Sequence, residues 1–256
     1  MQRIQLEILL ETHKLCTALG IKYFLDFGTL LGARRHGGFI PWDDDIDIAM
    51  TAKGLEALRC AAPRLMPRHL TVVPHITFPS AFKVTDSRYF IEEQSRLNQA
   101  GTAISHPGID IFPFGFYQPF SRYLPTRTIA LIAHKRPTAM RRAKVLFRER
   151  SAKSLAFLGI SCIPIGLLHA FARLVECDSG LGWEGSDGQQ LLGHGLIAGP
   201  GIKALPYSTV FPLSEIEFEG GRFPAPNDVD AYLTSFYGDW RTPKPSPPHL
   251  LRGWIA

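Results

Sequence analysis

Cysteine is scarce. Cys16, Cys60, Cys162 and Cys177 are the four present. None stand at the short spacings of zinc sites. Few, scattered cysteines suit a reducing compartment and buried, inert thiols. There is no Asn-x-Ser/Thr sequon. Glu7 and Glu11 interrupt the early apolar positions, so no signal peptide is expected at the start. Long apolar runs are also few. The longest stretch free of Asp, Glu, Lys and Arg runs Ser154–Ala172, and it holds Gly159, Pro164, Gly166, two serines and His169. Two short helices, with Pro164 opening the second, explain it better than a membrane span. With 45% hydrophobic and 20% charged residues, the chain is neither a disordered tail nor an acidic coat. Its 256 residues allow one large domain or two small ones, with a core that needs no staples.

The formal charge is +5, and it is unevenly placed. His134–Lys153 holds eight Lys/Arg and one acid; without it, 20 basic and 22 acidic residues remain, a net of −2. Arg141, Lys144 and Arg148 fall on one helical face. A solvated cationic face is the plain reading. A membrane-surface contact through 134–168 is the functional one, because the apolar stretch follows directly. Nucleic-acid binding finds no base-stacking motif or helix-turn-helix in support.

Apolar periodicity and a closing Gly20 mark a helix over Gln2–Leu19. A strand is expected over Ile21–Phe27, and a short segment over Leu30–Arg35. A half-buried alternating strand is expected over Ile46–Met50, then a helix over Lys53–Leu65 closed by Pro67. Short strands follow at Leu70–Val73, Ala81–Thr85 and Gly108–Phe112. Pro125–Ala172 reads as mainly helical and Asp178–Gly201 as glycine-rich loop. Val210–Gly221 reads as strand and turn, and Asn227–Phe236 as a helix capped by Asn227. Four prolines within 243–248 make an extended tail. No internal repeat or interdomain linker is evident.

Asp43, Asp44, Asp45 and Asp47 place four carboxylates in five positions, a costly crowding unless a cation or water screens it. A solvated acidic turn is the bland reading. Yet the cluster is wedged between Pro41-Trp42 and Ile46/Ile48, residues that bury. In a strand, Asp45 and Asp47 share a face, which is what a hard divalent ion needs. An EF-hand is excluded, since its sixth position would be Ile48 and its twelfth Gly54. Gly28-Thr29 offers backbone N–H groups and a hydroxyl to phosphate oxygens. Arg34, Arg35 and His36 follow, and Lys83 and Arg88 lie in another short segment. Asp110, flanked by isoleucines, must be neutralised, paired or metal-bound. Gly180–Gly185 spells G-x-G-x-x-G without a clear βαβ unit and is treated as loop.

The run from Tyr23 through Gly28-Thr29 and Pro41-Trp42-Asp43-Asp44-Asp45 to Ile48 closely resembles the LicD family of phosphocholine transferases, related to fukutin-type ribitol-phosphate transferases. The resemblance continues through Phe82–Asp86 and Ile109–Pro113. It returns in Phe211-Pro212-Leu213, Phe218-Glu219-Gly220, Tyr232-Leu233 and Tyr237-Gly238-Asp239. It implies an α/β (α+β) nucleotidyltransferase-like fold: a short mixed sheet flanked by helices, with a largely helical insertion and C-terminal region. Residues 1–128 would be the catalytic core, and 129–256 would complete the same domain. The resemblance also implies a metal-dependent transfer of a phosphorylated alcohol from a CDP-alcohol to a glycan or glycolipid hydroxyl, releasing CMP. Asp45, Asp47 and Asp110 would hold Mg²⁺ or Mn²⁺, and Asp110 would accept the acceptor's proton. Gly28, Thr29, Arg35, His36 and Lys83 would bind the nucleotide and its phosphates. His249 could reach the site; Asp86 and Asp239 sit in family-like motifs without assigned chemistry. Such a protein would be cytoplasmic, at the inner membrane surface. The alternatives are a nucleotidyltransferase that consumes NTP and releases pyrophosphate, and a non-catalytic nucleotide-binding or membrane adaptor.

Overall fold

The computed structural model describes residues 1–75, 81–94, 102–117, 191–193, 205–243 and 251–255. The basic block, the Ser154–Ala172 stretch, the G-x-G-x-x-G loop and His249 lie outside them.

The first helix, α1, spans Gln2–Leu19 and buries Ile4, Ile8, Leu9, Leu15 and Cys16 on one face. Gly20, at φ 66°, closes it by donating to Cys16 O and Thr17 O, a backbone angle that favours glycine. The strand expected over Ile21–Phe27 is shorter: β1 is Tyr23–Leu25. Asp26 stops it, because its side chain caps α2, Phe27–His36, by accepting from Phe27 N. Next come β2 (Asp47–Met50) and α3 (Ala52–Leu65), the latter capped by Thr51 Oγ1, which accepts from Gly54 N at 2.8 Å. The whole of β2 is buried, instead of alternating, because it is an interior strand.

Strands β3 (Leu70–Pro74), β4 (Phe82–Asp86), β5 (Phe90–Gln94), β6 (Thr102–Ser105), β7 (Gly108–Pro113) and β8 (Gly115–Tyr117) follow. Leu191–Gly193, expected as loop, is a strand (β9) because β8 supplies an antiparallel partner. A short helix α4 (Tyr207–Val210) precedes the hairpin β10 (Ser214–Phe218) and β11 (Gly221–Ala225). Its two-residue turn, Glu219-Gly220, has φ of 50° and 75°, the positive angles that a tight hairpin turn uses. Helix α5 is Val229–Tyr237, and its cap is Asp228, which accepts from Ala231 N, not Asn227. Asn227 instead donates to Ser208 O. Beyond the proline-rich tail, β12 (Leu251–Ile255) pairs with β5.

The central sheet is mixed, in the order β1-β2-β7-β4-β3. Only the β2–β7 pairing is parallel. Helices α1 and α3 pack on each other and on β7, while α2 packs on β2, β10 and α5. One apolar core joins Ile4 to Trp240. Phe24 shows how: its ring meets Phe114, just past β7, at 5.0 Å and Tyr232 of α5 at 5.7 Å, both edge-on. The fold is thus a mixed α/β arrangement with a short mixed sheet flanked by helices. Among the described residues, no helix is long and apolar enough to cross a membrane.

Candidate active site

Three adjacent strands set the site. Asp47 on β2 stands opposite Asp110 on β7, and Asp110 stands opposite Lys83 on β4. Paired positions on neighbouring strands lie roughly 5 Å apart and share a face, so the three side chains form a row. Asp110 N donates to Ile46 O at 2.8 Å, which fixes the register. Asp110 Oδ1 lies 3.4 Å from Lys83 Nζ and 3.7 Å from His75 Nε2, yet it is sealed from solvent without a hydrogen bond.

Asp45 reaches this row by another route than strand alternation. Strand β2 begins only at Asp47, and Asp43 to Ile46 form an irregular loop. Asp47 is nearly sealed, and burial pushes its carboxyl well above the usual range; the charges of Asp45, Asp110, Asp26 and Asp43 add to the effect. Burial, then the charge of Asp45, raises Asp43 to about 7.

Gly28 and Thr29 hold the loop against the first turn of α2. A Cβ on Gly28 would come within 2.7 Å of Asp43 Oδ2, so only glycine leaves that carboxylate its place. Thr29 is buried, and its Oγ1 accepts from Asp47 N at 2.8 Å. Its hydroxyl oxygen therefore positions the acid.

Arg35 and His36 occupy the last turn of α2, roughly 9 Å of helix rise beyond Thr29. Arg35 Nη2 is sealed from solvent without a hydrogen bond. Arg34 pairs with Asp230 at 2.8 Å, on the surface. Arg88 is likewise structural, paired with Asp86 at 2.6 Å and Glu7 at 3.6 Å. Burial alone would raise Asp86, but the hydrogen bonds and charge of Arg88 outweigh it and hold its carboxyl below the ordinary value. Asp239 accepts from Thr242, a local turn contact.

Sequence reasoning missed four residues near the site. Asp26 is fully buried; its Oδ1 accepts from Phe27 N at 2.8 Å and from Tyr232 Oη at 2.7 Å. Its own N–H donates to Asp47 O at 3.0 Å. Tyr237, at the end of α5, has its phenol pushed up by burial and then by Asp47, Asp26, Asp43 and Asp45. His75 follows β3 directly. Asp26 stands inside the long acidic motif and could have been found there. Tyr232 and Tyr237 stand in family-like motifs, but His75 carried no signal.

The crowded acids predict a pH dependence. A carboxyl whose folded pKa is raised binds its proton more tightly folded than unfolded. Stability of the metal-free protein should therefore fall as pH rises from about 4, the unfolded Asp value, towards the value of about 7 at Asp43. Asp43→Asn should flatten the fall, as read by melting temperature against pH in chelator. An unchanged slope would contradict the assignment.

Residues 20–145 match the sequence profile of the family described as LicD/FKTN/FKRP, nucleotidyltransferase domain. The chain is 57% identical over 49 residues to the lipopolysaccharide cholinephosphotransferase LicD of Haemophilus influenzae, covering 19% of this chain and 18% of that protein. It is 52% identical over 44 residues to an uncharacterized protein of Rickettsia prowazekii, covering 17% and 16%. It is 54% identical over 33 residues to the human ribitol 5-phosphate transferase FKRP, covering 13% and 7%. The aligned stretches thus span less than a fifth of each of these three relatives. The acids on β2 and β7 and the first turn of α2 all lie within the stretch, residues 20–145, that is similar to the LicD/FKTN/FKRP nucleotidyltransferase domain.

Proposed function

We propose that this chain transfers a phosphorylated alcohol from a CDP-alcohol to a hydroxyl of a glycan or glycolipid, with release of CMP. The observation that carries this reading is the row of Asp47, Asp110 and Lys83 across three strands. It sets carboxylates beside a cation, as a divalent ion and a pyrophosphate together require. The names of the relatives, a cholinephosphotransferase and a ribitol 5-phosphate transferase, point to the same reaction class.

Among the described residues, no three side chains of metal-ligating type are grouped to enclose an ion on their own. The sealed, unsatisfied Asp110 Oδ1 beside buried Asp47 instead fits an ion that shares its coordination with substrate oxygens and water, as Mg²⁺ or Mn²⁺ does. Asp47, Asp45 and Asp110 would hold it. When bound, it would neutralise these acids against the donor's pyrophosphate. Lys83 would balance charge on the leaving CMP. Asp110 would take the proton of the acceptor hydroxyl, and backbone N–H groups at the start of α2 would face phosphate oxygens. The basic segment 134–153 would face an anionic lipid surface where the acceptor is carried.

A thermal-shift panel of CDP-choline, CDP-ribitol, CDP-glycerol and CTP, each with and without Mg²⁺, tests the proposal. One CDP-alcohol should stabilise the protein only with metal, by about 2.7 kcal/mol at a hundredfold excess over Kd. Stabilisation by CTP alone, with pyrophosphate released on turnover, would replace it with the NTP-consuming reaction. Stabilisation by a nucleotide without turnover would leave the nucleotide-binding adaptor reading, and no shift with any nucleotide would count against both enzyme readings.

A further inference from the structure

The acid loop is tied to a part of the chain far away in sequence. At the turn between β10 and β11, Glu219 N donates to Gly37 O at 2.8 Å, and Glu219 Oε1 accepts from Phe39 N at 3.0 Å. The two bonds grip the segment that leads from α2 into Ile40, Pro41, Trp42 and Asp43. A Cβ on Gly38 would run into Glu219 Oε1. On the other side, a Cβ on Gly32 would come within 2.5 Å of Gly38 O and 3.0 Å of Ile40 N. The segment is thus wedged between the Glu219 carboxylate and the back of α2, and glycine on both sides makes that fit possible. Further along, Gln2 Nε2 donates to Asp43 O at 2.7 Å, and the loop ends where Thr29 accepts from Asp47 N. Between those anchors, Asp43 to Ile46 have no strand or helix of their own.

We propose that Glu219 is a positioning residue that sets the acid loop, and with it Asp43 and Asp45, relative to Asp47. This rests on the reading of the acid row as the reacting centre. Glu219 itself touches no reacting atom. Its carboxylate is spent on a backbone N–H, and its positive-φ turn presents both bonds at once.

Full-length Glu219→Ala and Glu219→Gln test the proposal by hydrogen exchange of the peptide covering 38–46 and by CMP release. The Ala variant should exchange several-fold faster in that peptide, while peptides from α1 and β7 stay protected. Its turnover should fall roughly 10- to 100-fold, the range seen when a residue that orients site ligands is lost. The Gln variant keeps an oxygen acceptor for Phe39 N and should restore both. Gly38→Ala should impair turnover with Glu219 present and add nothing in the Glu219→Ala background, because the clash partner is gone. Unchanged exchange in the Ala variant would overturn the proposal. So would fast exchange with full turnover, or additive effects of the two substitutions. If the wild type releases no CMP from any CDP-alcohol, the proposed reaction fails, while the exchange comparison still decides whether Glu219 holds the loop.

Discussion

Asp47→Asn is expected to lower turnover by roughly three orders of magnitude, since a metal's charge stabilisation is worth several kcal/mol and each ~1.4 kcal/mol is tenfold. The substitution keeps shape and backbone. Thr29 still accepts from residue 47 N, and the register with β7 stays. Only the charge goes. Stability should move the other way. Asp47 sits buried among Asp45, Asp110, Asp26 and Asp43, which penalise its ionised form. The neutral amide removes that penalty, so the metal-free variant should melt higher than wild type at pH 8. CMP release and melting temperature, measured on one preparation, check both signs. Near-normal turnover in a well-folded variant would sink the assignment of Asp47 as a ligand. Lost turnover with a lowered melting temperature would show misfolding instead.

Asp26→Ala is expected to cost about 4 kcal/mol of folding stability, from a lost helix cap and two orphaned buried donors. Those donors are Phe27 N and Tyr232 Oη, both now satisfied by Asp26 Oδ1. Phe27 also holds a φ of 38°, a left-handed angle that few large residues adopt and that the cap helps to hold. Tyr232→Phe removes one of the two bonds and should cost about 2 kcal/mol. Denaturant midpoints compared at constant m-value separate the two. Equal losses would mean that the cap to Phe27 carries nothing.

Much of this was legible in the sequence because it is local. The α1 stripe of Ile4, Ile8 and Leu15 has helical period, and the Gly20 stop is visible. The interior strands read correctly because β-branched and apolar residues cluster there. The acids at 43–47 and at 110 drew notice because charge beside isoleucine is costly. What escaped was non-local. Asp26 looked like part of a strand, since a single residue both ends β1 and caps α2. Its partner Tyr232 lies 206 residues away. The β11 half of the hairpin was hidden by Pro224, which an edge position tolerates.

The parallel pairing of β2 with β7 gives the acid pair its neighbours, and it also makes that pair wholly non-local. The partners are joined only after the chain has made α3, β3 and β4 and returned through the middle of the sheet. Such contacts gain nothing until the closure entropy of the intervening chain has been met. No short peptide of this protein can carry the site: the smallest contiguous piece with both acids already contains four of the five sheet strands.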